Sequence, residues 1–237
     1  VQDIFKYDYE GEMYQISNKR TDQLITPNHR VLFIPEFSEK IKIGEAKAIF
    51  DNHKSDNLRV PVYGEYEKND YPIADVELCL WTWVLSEGNI RHSKGNRTWR
   101  GQPTKGDIIV IGQSIKHEFE ILRIRELLKL NHINWAEKDY VGGFSSVPVR
   151  RFTFHRNGFS KYMPDWLLKL SRRQAQLFLK EYRLGDGHKR NFILTTKKDR
   201  DVEILTVLAI IAGWLFRVIK RSNGVYNVSI ITDFKNK

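Results

Sequence analysis

Two carboxylates are marked out by the residue that follows each of them. Glu87 closes the run Leu80-Trp81-Thr82-Trp83-Val84-Leu85-Ser86-Glu87-Gly88, and Asp186 closes Leu179-Lys180-Glu181-Tyr182-Arg183-Leu184-Gly185-Asp186-Gly187. They lie 99 residues apart, from position 87 to position 186. Each ends a segment of helical character and precedes a glycine, which readily terminates a helix. A helix C-terminus carries partial negative charge. Two carboxylates brought together there repel each other unless a cation lies between or beside them. A hard divalent ion with oxygen ligands meets that demand, Mg²⁺ first, with Ca²⁺ or Mn²⁺ as substitutes. Such ions activate water and hold phosphate oxygens during phosphodiester hydrolysis. One acid-Gly pair alone is a common surface helix end; the repetition gives these two their weight.

The elements that must position the acids also repeat. Ala74 to Leu85 reads as a mostly apolar helix ending at Ser86-Glu87-Gly88. Strands are expected at Thr98–Arg100 and Ile108–Ile111, and helical periodicity runs from Ile115 to Leu130. Val149 to His155 alternates as a strand, and Pro164 to Leu170 is a short helix. The order then recurs. Arg172 to Leu184 is helical, with Ser171 as N-cap, and ends at Gly185-Asp186-Gly187. A strand follows at Phe192–Thr195, then a helix from Val202 to Ala212 stopped by Gly213. Strands Phe216–Lys220 and Val225–Ile231 are joined by Asn223-Gly224, a strong hairpin signal. The spacing predicts an internal duplication with pseudo-two-fold symmetry, its repeats at about 72–170 and 171–237.

Charge divides the chain in the same way. Residues 1–70 hold 10 Lys/Arg and 13 Asp/Glu, and residues 71–237 hold 29 and 16, so the whole excess of +10 sits in the second part. That asymmetry suggests a nucleic-acid-binding module joined to something else. The aromatic content, with 6 Trp, 13 Phe and 10 Tyr, excludes a wholly disordered chain. No apolar run reaches the ~18 residues of a membrane span, and no secretory signal opens the chain. The single cysteine, Cys79, excludes an internal disulfide or a multi-thiolate zinc site. A reducing location is expected: cytoplasm or nucleoid in a prokaryote or phage, nucleus or organelle in a eukaryote.

The two nine-residue segments resemble the signature helices of the LAGLIDADG homing endonucleases. Met163-Pro164-Asp165-Trp166, Leu170-Ser171, Gln174-Ala175 and Leu184-Gly185-Asp186-Gly187-His188 are similar to the intein- and phage-associated branch of that family. So are Thr195-Thr196-Lys197-Lys198 and Ala212-Gly213-Trp214. The resemblance covers roughly residues 72–232. It implies an α+β fold, a duplicated αββαββα domain whose signature helices pack at the symmetry axis and whose saddle-shaped antiparallel sheets straddle the DNA major groove. It implies site-specific, Mg²⁺-dependent cleavage of both strands of a long target by a monomer. The metal sites comprise Glu87 and Asp186 with the helix-ending Gly88 and Gly187. A basic residue near the metals is implied too; Lys161, Lys198 and Lys220 are candidates, with Lys198 and Lys220 in the catalytic set. The third motif position, usually small so that the helices can approach, is Thr82 in one segment and Glu181 in the other. Glu181 can face outward, pair with a basic neighbour or widen the interface.

Residues 1–34 read as β structure, with strands at Ile4–Tyr9, Met13–Ile16, Leu24-Ile25 and Val31–Ile34. Ile41, Ile43, Ala46 and Ile49-Phe50 fit a short helix or a strand, and residues 51–58 a linker. Thr26-Pro27-Asn28-His29 resembles the T-x-x-H block of intein Hint domains, so residues 1–70 are expected to be a partial, all-β Hint-like segment plus linker. By that resemblance His29 protonates a scissile amide nitrogen and Thr26 holds the peptide. Val1 is not a splicing nucleophile and Phe234-Lys235-Asn236-Lys237 contains no His-Asn pair, so ordinary splicing is not expected of this chain.

The cationic residues offered for DNA contact are Arg91, His92, Lys94, Arg97, Arg100, Arg150, Arg151, His155 and Arg156 in the first half, and His188, Lys189, Arg190 and Arg221 in the second. Arginine suits bidentate readout of guanine, and lysine mostly meets phosphate. The leading expectation is an intein-encoded double-strand DNA endonuclease. Alternatives are a non-cleaving binder, such as an RNA maturase or regulator, and Hint-type autoprocessing with termini supplied elsewhere.

Overall fold

The computed structural model describes residues 6, 8–17, 22–36, 38, 40–52, 59–61, 64, 68–91, 98–99, 102–103, 106–142, 145–186 and 191–232. The chain divides into two compact units, Val1–Gly64 and Glu65–Lys237. In the first, β1 (Tyr14–Ser17) pairs antiparallel with β2 (Asp22–Ile25), and β3 (Arg30–Phe33) with β4 (Lys42–Glu45). Helix α1 (Ala46–Asn52) follows directly. Residues 41–50, which fit either a helix or a strand, thus hold one of each. The small core is Ile25, Val31, Phe33, Ala46 and Ile49, with Tyr14 and Ile16 against it. Half of the strand expected at Ile4–Tyr9 and most of the linker at 51–58 lie outside the described residues; Lys6, Asp8 and Tyr9 are described and are not in a strand.

The second unit is built around α2 (Asp75–Glu87) and α4 (Arg172–Asp186), which pack against each other. Asp75 and Glu77 favour the positive end of α2. Eight successive residues of α2, Leu78 to Leu85, are buried. A helix that is apolar on every side must be enclosed on every side. Helix α4 covers one side; α3 (Glu118–Leu130) and β8 (Ile108–Ser114) cover others.

Directly after α2 comes β5 (Gly88–Arg91), then the short β6 (Thr98–Trp99) and β7 (Gln102–Pro103), which pair with each other. After α3 run β9 (Trp135–Gly142) and β10 (Ser145–His155). The first sheet is antiparallel with the order β5-β8-β10-β9. A 3₁₀ turn at Asp165–Lys169 leads into α4. Beyond it lie β11 (Ile193–Thr196), α5 (Asp199–Ile211), β12 (Leu215–Lys220) and β13 (Tyr226–Ile231), and the second sheet has the order β11-β13-β12. That order matches the β8-β10-β9 portion of the first sheet.

Local chemistry fixes the ends. Gly213 has φ +72°, its N–H reaches the Ile210 carbonyl, and the Trp214 N–H reaches that of Ala209. This is a Schellman stop, and it ends α5 where the glycine predicts. Gly224, φ +76°, lets the chain reverse between β12 and β13.

The N-terminal ends of α2 and α4 are tied together. Arg173 binds Asp75 at 2.5 Å and Asp70 at 2.5 Å, and the Ser171 hydroxyl donates to Asp70. The Arg173 and Ser171 hydrogen bonds hold the Asp70 carboxyl below its ordinary range. The Gln174 amide donates to the Tyr71 carbonyl while its oxygen accepts the Tyr71 N–H.

Candidate functional site

The opposite ends of these helices carry the acids. Glu87 is the last residue of α2 and Asp186 the last of α4. The separation of the ends there is set by Gly185. A Cβ on Gly185 would lie 2.2 Å from Ser86 Oγ, 3.0 Å from Ser86 Cβ and 3.7 Å from Glu87 Cγ. The backbone beside Asp186 therefore touches the turn that carries Glu87. Elsewhere in a helix, Gly→Ala stabilises by about 1 kcal/mol. Here the sign reverses: Gly185→Ala is expected to lower the thermal midpoint, and Gly185→Val to lower it further, by about 1–3 kcal/mol of overpacking. A Gly185→Ala variant with a raised midpoint would contradict this close approach.

The α2 end is also met by a cation. Lys161 Nζ donates to the carbonyls of Leu85 at 2.5 Å, Val84 at 3.1 Å and Ser86 at 3.4 Å in the last turn of the helix, where Val84 also accepts the Gly88 N–H. Lys198 Nζ donates to the Lys161 carbonyl at 2.6 Å and lies 4.0 Å from Asp201. Two of the three candidate lysines thus meet beside the Glu87 turn. Lys220, at the end of β12, lies over the ring of its register partner Tyr226, 4.8 Å from the centroid, and the Tyr226 hydroxyl, which donates to Asp199, raises its pKa. Lys220 shares the helix side of the second sheet with Phe216 and Val218.

The departures at the third motif position are accommodated separately. Thr82 is fully buried and donates its hydroxyl to the Cys79 carbonyl of its own helix. Glu181 is buried and accepts from Trp83 Nε1 at 2.8 Å and from Arg123 Nε and Nη2 at 2.9 and 3.0 Å. Of the three options, pairing with a basic neighbour is the one realised. These bonds hold the Arg123 guanidinium well above its ordinary range. Burial pushes the nearby Cys79 thiol up to about 12, which keeps it an inert core group.

The first strand of each sheet follows its acid: β5 begins directly after Glu87, at Gly88, and β11 begins seven residues after Asp186, at Ile193. Each sheet has a helix side and an outer side. On β10, Phe152 and Phe154 are buried against the helices, so Arg151 and Thr153 face outward. In register with them are Asn89, Arg91, Gly112, Lys138 and Tyr140. On the second sheet the outward residues include Thr195, Arg217 and Ser229, which Leu194, Val218 and Val228 oppose. Among the described residues, no Asp or Glu stands on either outer side. The acids of the first sheet, Glu137 and Asp139, are on the helix side.

That segregation sorts the proposed DNA contacts. Arg91 and Arg151 are exposed on the outer side. Arg150 is on the helix side, bonded through Nε and Nη2 to Asp139 at 2.7 and 2.8 Å. Its guanidinium lowers the Asp139 pKa, as Arg125 lowers that of Glu137. Arg156 pairs with Glu77 at 2.8 Å, and both ring nitrogens of His155 are buried. Arg221 is exposed beyond β12. His92, Lys94, Arg97, Arg100, Gly187, His188, Lys189 and Arg190 lie outside the described residues. Lys138, Tyr140 and Arg217 escaped the sequence reading. For Arg217 the signal was available: it alternates with Phe216 and Val218. Thr26 and His29 flank the β2–β3 turn, where His29 N–H reaches the Thr26 carbonyl at 3.0 Å, and His29 is exposed.

Among the described residues no group of three or more His, Cys, Asp or Glu forms a metal cage. A carboxylate at a negative helix end still fits Mg²⁺, which is commonly bound by one or two carboxylates with the rest of its shell supplied by substrate phosphate and water. No helix among the described residues is long and apolar enough to cross a membrane.

No protein-family profile matches the chain. The ATP-dependent Clp protease proteolytic subunit of Chlamydomonas moewusii is 24% identical in an alignment of 218 residues that covers 78% of this chain; the chain spans 21% of the length of that protein. Among solved structures, an I-DmoI variant in complex with its target DNA in the presence of Mg has a TM-score of 0.49 at 16% identity, covering 66% of this chain and 88% of the other. The I-DmoI complex with DNA and Ca has a TM-score of 0.48 at 15% identity, over 66% and 82%.

Proposed function

We propose that residues 65–237 are a LAGLIDADG-type homing endonuclease that cuts both strands of a long DNA site with divalent metal. The observation that carries this reading is the contact of Gly185 with Ser86 and Glu87, because it brings together the ends of two helices that each finish in an acid. The matching strand orders of the two sheets support an internal duplication. One chain then supplies both acidic ends, so the active form is a monomer. Glu87 and Asp186 hold the ions; when bound, Mg²⁺ supplies charge stabilisation at the scissile phosphate and an activated water. Lys161, fixed on the α2 carbonyls with Lys198 behind it, brings positive charge next to the developing phosphate charge. The acid-free outer sides of the sheets carry the duplex.

The test is cleavage of a randomised duplex library in Mg²⁺, followed by sequencing of the cut ends. One long recurrent site with breaks in both strands is expected; uncut DNA at all metal concentrations would end the reading. Binding should also be strongly salt-dependent. Five outward cations are described, Arg91, Lys138, Arg151, Arg217 and Arg221. Five neutralised phosphates give a slope of log K against log salt of about −4 to −5. A binding constant nearly flat between low and moderate salt would contradict a DNA-tracking face.

We further propose that the N-terminal unit is a partial Hint-like segment of an intein, on the T-x-x-H spacing that sets His29 across the turn from Thr26; helix α1 departs from the all-β segment expected there. The neighbouring gene sequence on both sides tests it.

A further inference from the structure

The outward cations differ in how they are held. Arg151 lies on β10, an interior strand of the first sheet. Its guanidinium carbon sits 3.8 Å from the centroid of the Tyr140 ring on β9. Among the described residues no carboxylate pairs with it, whereas the adjacent Arg150 is spent on Asp139. Its register partner on β8 is Gly112, which presents no side chain of its own and is bordered by Val149; its partner on β9 is Lys138.

A guanidinium stacked face-on against an aromatic ring keeps its in-plane N–H donors free and loses less freedom on binding. Those donors match the O6 and N7 acceptors that guanine presents in the major groove. Side chains at the middle of a β face entering the groove meet base edges, while those at its margins meet phosphates. From this we infer that Arg151, held by Tyr140, is a specificity-determining residue that reads one guanine in the half-site covered by the first sheet. The inference rests on the DNA-binding reading of that face.

The experiment is site selection from a randomised duplex library with the full chain in Ca²⁺, using wild type, Arg151→Ala, Arg151→Lys and Tyr140→Leu. Wild type is expected to require guanine at one position. Arg151→Ala should level the preference there alone and weaken binding of the guanine site on the order of 10- to 100-fold. Arg151→Lys should keep most affinity and lose discrimination, and Tyr140→Leu should lose part of it. A phosphate contact gives a different result: Arg151→Ala would weaken all sequences equally and reduce the salt slope by about one. That outcome, or unchanged preferences, overturns the inference and leaves the endonuclease reading standing. A wild type that selects no sequence at all overturns both.

Discussion

Asp186→Asn and Glu87→Gln are each expected to slow DNA cleavage by roughly 10²–10³-fold or more, the effect of removing one preorganised group from a developing charge, while leaving DNA affinity intact. Each acid ends a helix whose last carbonyls already make that region negative. The amide keeps the size of the side chain and loses the charge that recruits a hard cation. On the proposed reading affinity rests on the outer sides of the sheets, and removing one negative charge near DNA tightens binding slightly if it changes it at all. A supercoiled plasmid carrying the selected site separates nicked from linear product, and a parallel binding assay in Ca²⁺ isolates affinity. Residual nicking of one strand by each single variant means that the two acids serve separate strands; loss of both cuts means that they share an ion. Linearisation at the wild-type rate by Asp186→Asn would remove the central claim.

Glu181→Ala should produce the largest loss of stability. The carboxylate joins three helices: it sits on α4, accepts the indole N–H of Trp83 on α2 and binds both donor edges of Arg123 on α3. Alanine strands the fully buried Trp83 N–H and leaves a half-buried guanidinium with only Glu126, at 2.6 Å, as its partner. Leaving a buried donor and a charge without their acceptor costs about 3 kcal/mol. For a unit of this size that is roughly 6–12 °C in thermal midpoint. Glu181→Gln retains acceptors for both partners and should lose about a third as much. Differential scanning calorimetry of the two variants checks the order. An alanine variant that melts with the wild type would show that the network contributes nothing net.

The parts of this fold that follow a single period were legible in the sequence. Helix α2 and helix α4 were each expected to within a few residues, because a continuous apolar run in one and an apolar face at helical spacing in the other, each with an acid-Gly stop, leave few alternatives. Strands β8, β10, β12 and β13 were expected for the same reason. Strand β9 was missed: Glu137 and Asp139 on its helix side are neutralised by Arg125 and Arg150, so the strand needs no apolar alternation to be covered. Strand β5 was missed because four residues directly after a helix carry too little pattern. At the candidate site, the motif placed the two acids at helix ends, and the structure has Glu87 and Asp186 there, but the partner of Glu181 was not legible. Arg123 reaches it from 58 residues away, and no local spacing encodes that contact. The choice between Arg150 and Arg151 required register, which decides which neighbour meets an acid and which meets Tyr140.

The enclosure of α2 has a consequence for how this chain reaches its native state. One side of the helix is closed by α3 and β8, which are near in sequence; another is closed by α4, which arrives about a hundred residues later. The ties between them, Trp83 to Glu181 and Asp75 to Arg173, each span 98 residues. Until α4 has been synthesised, the Leu78–Leu85 stretch cannot be dry on all sides, so the part of the unit that precedes α4 is by itself a sticky, unfinished body. The contacts that finish it are nonlocal, and loop-closure entropy must be met before they return any stabilisation. Folding of residues 65–237 is therefore a single late, cooperative event rather than two successive ones, and α2 is the surface most in need of protection from aggregation while the chain waits for its second half.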